Sequence, residues 1–164
     1  MSATSALRIV QIADEAAMHR EARALAALLT RGDCIRLEGT LGMGKTSFTR
    51  ALIQTLSPRP VEVASPTFTL VQSYPVTLAD RAQVEFSHAD LYRLESADAL
   101  EEIGLHELPA RGVLCVEWPA IAEGWLPRDA LTLTIKLGAD AQARILEYRS
   151  DSPSRWASRL DAMG

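Results

Sequence analysis

Apolar residues in the first third of the chain recur at two periods, one typical of β-strands and one typical of helices. Residues 7–12 and residues 34–38 are short apolar runs that predict strands. Between them, apolar positions three or four residues apart predict a helix that Asp14 caps and that ends near Gly32. The apolar stripe of this helix consists of Met18, Ala22, Leu25 and Leu29.

A second helical pattern follows a glycine-rich segment. It begins at Lys45 and continues to about Leu56, where a segment with two prolines, residues 57–60, stops it. Its apolar positions are Phe48, Leu52, Ile53 and Leu56. The sequence therefore predicts a strand, a glycine-rich loop and a helix in direct succession.

The middle of the chain is less regular. Residues 64–74 are extended and β-branched, with an interruption at Pro66, and residues 84–90 predict a further strand. Residues 91–102 are polar and predict a partly helical connection.

The last third predicts three more strands. Residues 113–116 form a continuous apolar run, which is typical of a strand buried on both faces. Residues 131–137 and 144–149 alternate as an antiparallel pair would, with a turn near residues 138–140. From Ser150 onwards the sequence is polar, and we expect a frayed tail.

Strands alternate with helices early in the chain, and antiparallel strands come late. This order predicts one α/β domain of three layers, whose mixed sheet has a parallel core and late antiparallel strands. We expect the domain to occupy residues 1–150 and the polar C-terminal tail residues 151–164.

Composition narrows the class of protein. A chain of 164 residues fits one domain, and a net charge of −4 argues against direct electrostatic attraction to nucleic acid. The N-terminal segment does not resemble a secretory signal, and no apolar run approaches the ~20 residues of a membrane span. We therefore expect a soluble cytoplasmic protein without a membrane partner, in which Cys34 and Cys115 are buried free thiols.

Residues 39–46 carry the clearest chemistry. They match the phosphate-binding pattern G-x-x-x-x-G-K-[ST] and lie between a predicted strand and a predicted helix. Glycines leave room for a triphosphate to approach backbone N–H groups, and the helix directs free N–H groups at the phosphates. In this pattern Lys45 reaches the β- and γ-phosphates, and the Thr46 hydroxyl coordinates Mg²⁺.

The missing motifs favour one kind of nucleotide. The guanine-reading pattern N-K-x-D does not occur, so we expect ATP with Mg²⁺ rather than GTP. A small-molecule kinase would need an arginine-bearing lid, and the arginines Arg93, Arg111 and Arg128 are scattered. The kinase remains an alternative, and so does a module that binds ATP for assembly without needing hydrolysis.

Three further segments make the sequence recognisable. They are S-P-T-F-T-L at residues 65–70, H-A-D-L-Y-R-L at residues 88–94 and V-E-W-P at residues 116–119. With the phosphate-binding loop, their order and spacing resemble the TsaE (YjeE) family of bacterial P-loop ATPases. The resemblance implies a weak ATPase that acts as a nucleotide switch on the TsaD and TsaB proteins. This machinery makes N6-threonylcarbamoyladenosine at position 37 of tRNA, which the chain would meet only through its partners.

The acids carry the metal and catalytic predictions. Glu117 ends an apolar strand, where a magnesium-linked acid belongs, and the resemblance places that acid here. Asp90 lies in a segment that lines the nucleotide site in the family, where it could hold Mg²⁺ or orient water. We therefore predict Lys45, Asp90 and Glu117 as catalytic, and Thr46, Asp90 and Glu117 as metal ligands. Glu117 could instead pair with an arginine, and Asp90 could instead cap a helix that begins at Leu91.

The remaining predicted contacts follow from the loop and the resemblance. Thr67 resembles the threonine of a switch loop that closes on the γ-phosphate, although it could belong to a plain edge strand. Trp118 could pack against the nucleotide or the core, and Glu15 aligns near the adenine in the family. The nucleotide contacts of the loop are predicted at Leu41, Gly42, Met43, Gly44, Lys45, Thr46 and Ser47.

Some features depart from the family or stay unassigned. Thr40 stands where Asp is common and Met43 where Ala is common, and we expect both to tune binding rather than abolish it. Residues 75–85 are expected to form a longer hairpin loop than usual. His88, Tyr92 and Arg93 could complete the site or form a partner surface.

Overall fold

The fold, in a computed structural model that describes residues 4–66 and 68–164, is a single seven-stranded sheet with helices on both faces. The strand order is β1-β7-β6-β2-β5-β4-β3. The strands of the described part are β1 (Arg8–Ile12), β2 (Cys34–Glu38), β3 (Val71–Thr77), β4 (Gln83–Asp90), β5 (Gly112–Glu117), β6 (Leu131–Leu137) and β7 (Arg144–Arg149). Its α-helices are α1 (Glu15–Ala26), α2 (Lys45–Leu56), α3 (Asp98–Glu102), α4 (Leu108–Arg111) and α5 (Pro153–Asp161).

The sheet is parallel in the middle and antiparallel at its edges. β2 pairs in parallel with both β5 and β6, and β4 pairs in parallel with β5. β3 pairs antiparallel with β4, and β7 pairs antiparallel with both β1 and β6. The predicted mixed sheet with late antiparallel strands is thus confirmed.

Two apolar cores flank the sheet and give the predicted three layers. α1, α2 and α5 cover one face, where the core includes Leu25, Phe48 and Trp156. α3, α4 and the two short 3₁₀ turns cover the other face above β5, through Leu100 and Leu108 among others.

Local sequence signals predicted the helices on either side of the loop, with one difference in length. The Asp14 side chain accepts a hydrogen bond from the Ala17 N–H at 2.8 Å, so the predicted cap of α1 is confirmed. α2 has the predicted bounds, although α1 ends at Ala26 rather than near Gly32. Cys34 and Cys115 are both buried free thiols, as predicted, and burial raises the pKa of each.

Two expectations about the middle segment were wrong. Residues 64–66 are not in a strand, and β3 begins only at Val71, because Leu70 takes a positive φ of 62° that bends the chain. The hairpin loop is short rather than long. The register pairs Pro75 with Glu85 and Thr77 with Gln83, which leaves only residues 78–82 for the turn.

The predicted frayed tail was also wrong. Residues 153–161 form α5, in which Trp156 and Leu160 are buried in the core. Arg155 and Arg159 both donate to the buried carboxylate of Asp33 at the start of β2. Apolar packing and charge pairing together hold this helix on the domain.

In the part of the chain that the structure describes, no helix combines the length and the apolar character needed to cross a bilayer.

Candidate nucleotide-binding site

The glycine-rich loop connects the end of β2 to the start of α2, as the sequence predicts. Gly39 has a φ of 148°, and a Cβ at this position would lie 2.7 Å from the backbone oxygen of Ile135 on β6. Gly44, the residue that caps α2, has a φ of 103°. Both positions therefore need glycine, because a side chain would be strained in either and would also clash at Gly39.

The N-terminus of α2 faces the space inside this loop. No side chain of the described residues caps the helix, so its first N–H groups are available to an anion. α2 is a full helix of 12 residues, packed through Phe48 and Leu52 against the sheet. The sequence thus builds a fixed positive helix end next to a loop of exposed backbone.

Lys45 lies at the centre of this arrangement. Its Nζ donates to the carbonyl oxygens of Gly39 at 2.5 Å and Thr40 at 3.0 Å, and lies 4.0 Å from the centre of the Trp118 ring. Burial lowers the pKa of Lys45, while the negative charges of Glu117 and Asp90 act in the opposite direction. A buried cation whose partners are neutral carbonyls is suited to exchange one of them for a phosphate oxygen.

Glu117 meets the loop from the end of β5, the strand between β2 and β4. The Thr46 hydroxyl donates to both carboxylate oxygens of Glu117, at 2.9 and 3.1 Å. The carboxylate also accepts a bond from His88 Nε2 at 2.6 Å, and only 2% of Glu117 is exposed. The alternative prediction of an arginine partner is not supported, since no arginine of the described residues pairs with Glu117.

Asp90 ends the neighbouring strand β4, and the register places it directly beside Glu117. Its Oδ1 accepts from the Tyr92 N–H at 3.1 Å and its Oδ2 from the Ser65 hydroxyl at 3.4 Å. No helix begins at Leu91, so the helix-capping alternative was wrong, although Asp90 does close a local turn. Both carboxylate oxygens of Asp90 therefore accept a local hydrogen bond, and the group lines the cavity at the loop.

A cavity of about 390 Å³ joins the loop to these acids. Its lining includes residues 41–47 together with Ser65, Asp90, Tyr92, Glu117 and Trp118. The Trp118 and Tyr92 rings lie 4.8 Å apart and cover one side of it. All the predicted loop contacts thus line one space, as do Asp90, Glu117 and Trp118.

A second cavity, of about 520 Å³, adjoins the other side of the loop. Its lining includes Glu15, Met43, Gly44, Ser47 and Arg144. Ser47 donates to Glu15 at 3.3 Å, which connects the start of α1 with the start of α2. The predicted position of Glu15 near a base is compatible with this cavity, which has room for a nucleoside beside the phosphate site.

Sequence reasoning missed Arg144. Its Nε donates to the Met43 carbonyl at 3.2 Å, so the first residue of β7 holds the phosphate-binding loop from behind. The signal is absent from local sequence, because about a hundred residues separate the two partners and only the strand order brings them together.

Thr67 lies outside the described residues. Its neighbours are placed: Phe68 is 91% exposed, and Ser65 bonds to Asp90.

The residues present fit a magnesium ion held jointly with phosphates. Mg²⁺ in nucleotide sites takes one or two carboxylates or hydroxyls from the protein and fills its remaining positions with phosphate and water. Thr46, Asp90 and Glu117 offer this oxygen set. No group of three or more His, Cys, Asp or Glu suited to a metal occurs among the described residues. These oxygen donors are of the kind that Mg²⁺ prefers.

Comparisons with known proteins identify the family of the chain. The model of the family described as "Threonylcarbamoyl adenosine biosynthesis protein TsaE" matches residues 12–146. The tRNA threonylcarbamoyladenosine biosynthesis protein TsaE of Bacillus subtilis is 37% identical over 125 residues, which cover 76% of this chain and 74% of that protein. The Aquifex aeolicus protein of the same name is 40% identical over 113 residues, covering 68% and 77% respectively.

A solved structure has the same fold. The crystal structure of Bacillus subtilis YdiB superposes with a TM-score of 0.76 at 24% identity, covering 99% of this chain and 97% of that one. The family model alone spans far more than half of the chain and includes the loop, both acids and Arg144. The chain therefore belongs to the TsaE family.

Proposed function

We propose that this protein binds ATP with Mg²⁺ at the loop of residues 39–46, hydrolyses it slowly, and thereby serves tRNA threonylcarbamoyladenosine biosynthesis. The pathway is the one named for its family and for its relatives. The proposal of ATP binding and hydrolysis is supported by the residues of this chain. ATP supplies the phosphoryl group that is transferred to water, and Mg²⁺ neutralises charge on its β- and γ-phosphates.

The observation that carries the proposal is the contact between Thr46 and Glu117. These residues are 71 positions apart, yet the hydroxyl and the carboxylate meet at 2.9 Å where the loop ends and the helix begins. A P-loop threonine and a strand-end acid are the two protein groups that hold Mg²⁺ in P-loop enzymes. The loop, the lysine and both groups proposed to hold the metal line one cavity.

Each residue then has a defined task. The N–H groups at the start of α2 and the Nζ of Lys45 bind phosphate oxygens. Thr46 and Glu117 orient the metal side of the triphosphate. Asp90, beside Glu117, lies where it can accept a hydrogen bond from attacking water, while its Oδ1 stays fixed by Tyr92.

The finer part of the proposal is a switch. ATP binding favours docking on the TsaD–TsaB pair, and hydrolysis resets the complex between turnovers. The −4 net charge supports a division of labour in which the partners hold the tRNA.

The test is multi-turnover tRNA modification with purified TsaD and TsaB. We expect Lys45→Ala and Glu117→Ala to abolish repeated turnover, and full activity of both variants would refute the switch. A non-hydrolysable ATP analogue should stall the reaction after one cycle. Sustained cycling with the analogue would instead support an assembly module, and a phosphorylated metabolite would support a kinase.

A further inference from the structure

His88 lies directly beneath the two acids of the site. Along β4, the side chains of Phe86, His88 and Asp90 alternate onto the face that α2 covers. The register places His88 beside Cys115 and Asp90 beside Glu117 of β5. His88 is therefore one step further into the domain than the acids, on their own face of the sheet.

The histidine contacts Glu117 and is sealed from solvent. Its Nε2 lies 2.6 Å from Oε2 of Glu117, and none of its surface is exposed. Glu117 lines the cavity at the phosphate loop, whereas His88 does not. His88 can therefore act on a bound nucleotide only indirectly, and Glu117 is its hydrogen-bonded link to the cavity.

The chemistry of the two side chains indicates which of them is the hydrogen-bond donor. Carboxylate oxygens accept hydrogen bonds, so this contact is a hydrogen bond when the imidazole carries its hydrogen on Nε2. Nδ1 has no partner among the described residues, so Glu117 is the partner that fixes the imidazole. Two donors then hold one carboxylate: His88 from the buried side at Oε2, and Thr46 from the loop at both oxygens.

We infer that His88 is a positioning residue, which holds the Glu117 carboxylate turned towards Thr46 and the magnesium of the bound nucleotide. The inference rests on the proposed function, because the metal arrives with ATP. With Thr46 engaged as a magnesium ligand, His88 would be the donor left to hold Glu117 in place. A histidine that merely fills space would not need a short polar contact to the acid that ends β5.

A set of three variants separates orientation from packing. His88→Gln keeps an amide N–H that can reach the position of Nε2, His88→Asn is polar but too short, and His88→Leu removes the donor. Ser87→Ala, the neighbouring buried residue whose hydroxyl contacts Ser73 on β3, is the matched control. Thermal unfolding of the nucleotide-free proteins measures the packing cost of each change.

The informative readout is how the affinity for a non-hydrolysable ATP analogue depends on Mg²⁺ concentration. Outer partners of metal ligands typically affect metal affinity by about 10- to 100-fold. We expect His88→Leu and His88→Asn to need at least about tenfold more Mg²⁺ for half of the metal-dependent gain in affinity. Affinity in EDTA should stay at the wild-type value in every variant, and His88→Gln and Ser87→Ala should match the wild type throughout.

The outcomes distinguish a failure of the proposed function from a failure of the role inferred for His88. If the wild type binds the analogue with no dependence on Mg²⁺, the proposed function fails and the inference fails with it. If the wild type depends on Mg²⁺ but His88→Asn or His88→Leu has the wild-type dependence, the inference alone is wrong. Loss of thermal stability without a change in the Mg²⁺ dependence would assign His88 to packing. If the Leu variant does not fold, the Gln and Asn pair decides by the same criterion.

Discussion

The two halves of the candidate site are built in different ways. The loop of residues 39–46 is continuous in sequence, and its chemistry comes mainly from backbone N–H groups and from glycines that admit a ligand. The opposite half comes from the ends of two separate strands, where Asp90 and Glu117 meet through the register of β4 and β5. Side chains, rather than backbone, provide its chemistry.

This difference predicts how strongly substitutions should affect each half of the site. At the loop, non-glycine side chains such as that of Leu41, which is 63% exposed, can change without disturbing a packed core. At the acid half, a carboxylate with three hydrogen-bond contacts inside a buried cluster cannot change without leaving a donor unpaired. Substitutions should therefore have small effects at the exposed loop positions and large effects at the acids, and also at Lys45 and Thr46, the loop residues whose side chains are expected to act on the ligand.

Removing the Lys45 side chain should have the largest effect. Lys45→Ala deletes the buried cation that faces the phosphates, and we expect ATP affinity to fall by about 100-fold, the scale of a strong charge-assisted bond. Calorimetric titration measures this. Lys136→Ala, which removes the other lysine from an exposed pair with Glu147, should leave the affinity unchanged. Near-normal binding by the Lys45 variant would show that the loop backbone alone accounts for phosphate recognition.

Neutralising Glu117 should come next. Glu117→Gln keeps the size of the side chain but removes its charge, so we expect the rate of ATP hydrolysis to fall by about 30-fold through weaker metal positioning. Nucleotide affinity measured in EDTA should change less than about twofold, because no metal is involved there. Steady-state phosphate release checks the rate. An unchanged rate would move the metal-linked role to Asp90.

Loosening the loop from behind should have a moderate effect. Arg144→Ala removes the bond to the Met43 carbonyl, and the loss of about 1 kcal/mol of loop order should weaken ATP binding roughly fivefold. Arg149→Ala, on the same strand but bonded to Glu147 and Thr4, is the control. Equal losses in both variants would attribute the effect to β7 as a whole rather than to the loop contact.

The smallest effect is expected at Thr40, a departure from the common family residue. Its backbone oxygen, not its side chain, contacts Lys45. Thr40→Ala and Thr40→Asp should both keep ATP affinity within about threefold of the wild type, the scale of one exposed electrostatic contact. A tenfold change in a binding titration would contradict the view that side chains at this position face away from the phosphates.

Most features of the loop half of the site could be predicted from the sequence. The bounds of α2, the cap at Asp14 and the alternation of β6 and β7 are local signals, and each appears where it was expected. A motif that binds through backbone is necessarily contiguous, so its spacing can be read directly. The same holds for the two cysteines, whose apolar surroundings predicted burial.

Contacts made by pairing distant strands could not be predicted in this way. Glu117 was identified as a strand-end acid, but the His88 contact depends on the register between β4 and β5. Arg144 reaches Met43 only because β7 lies between β1 and β6.

The α5 helix was missed for another reason. Its polar composition concealed Trp156 and Leu160, although their spacing of four residues was a helical signal.

The central claim is that the loop and the acids form one magnesium-dependent ATP site. It is tested most directly by titrating the wild-type protein with ATP in Mg²⁺ and in EDTA, beside GTP in Mg²⁺ and the Lys45→Ala variant. We predict saturable binding of one ATP, tighter in Mg²⁺ than in EDTA, weaker for GTP, and largely lost in Lys45→Ala. Absence of ATP binding in Mg²⁺, or an equal curve for Lys45→Ala, would contradict it.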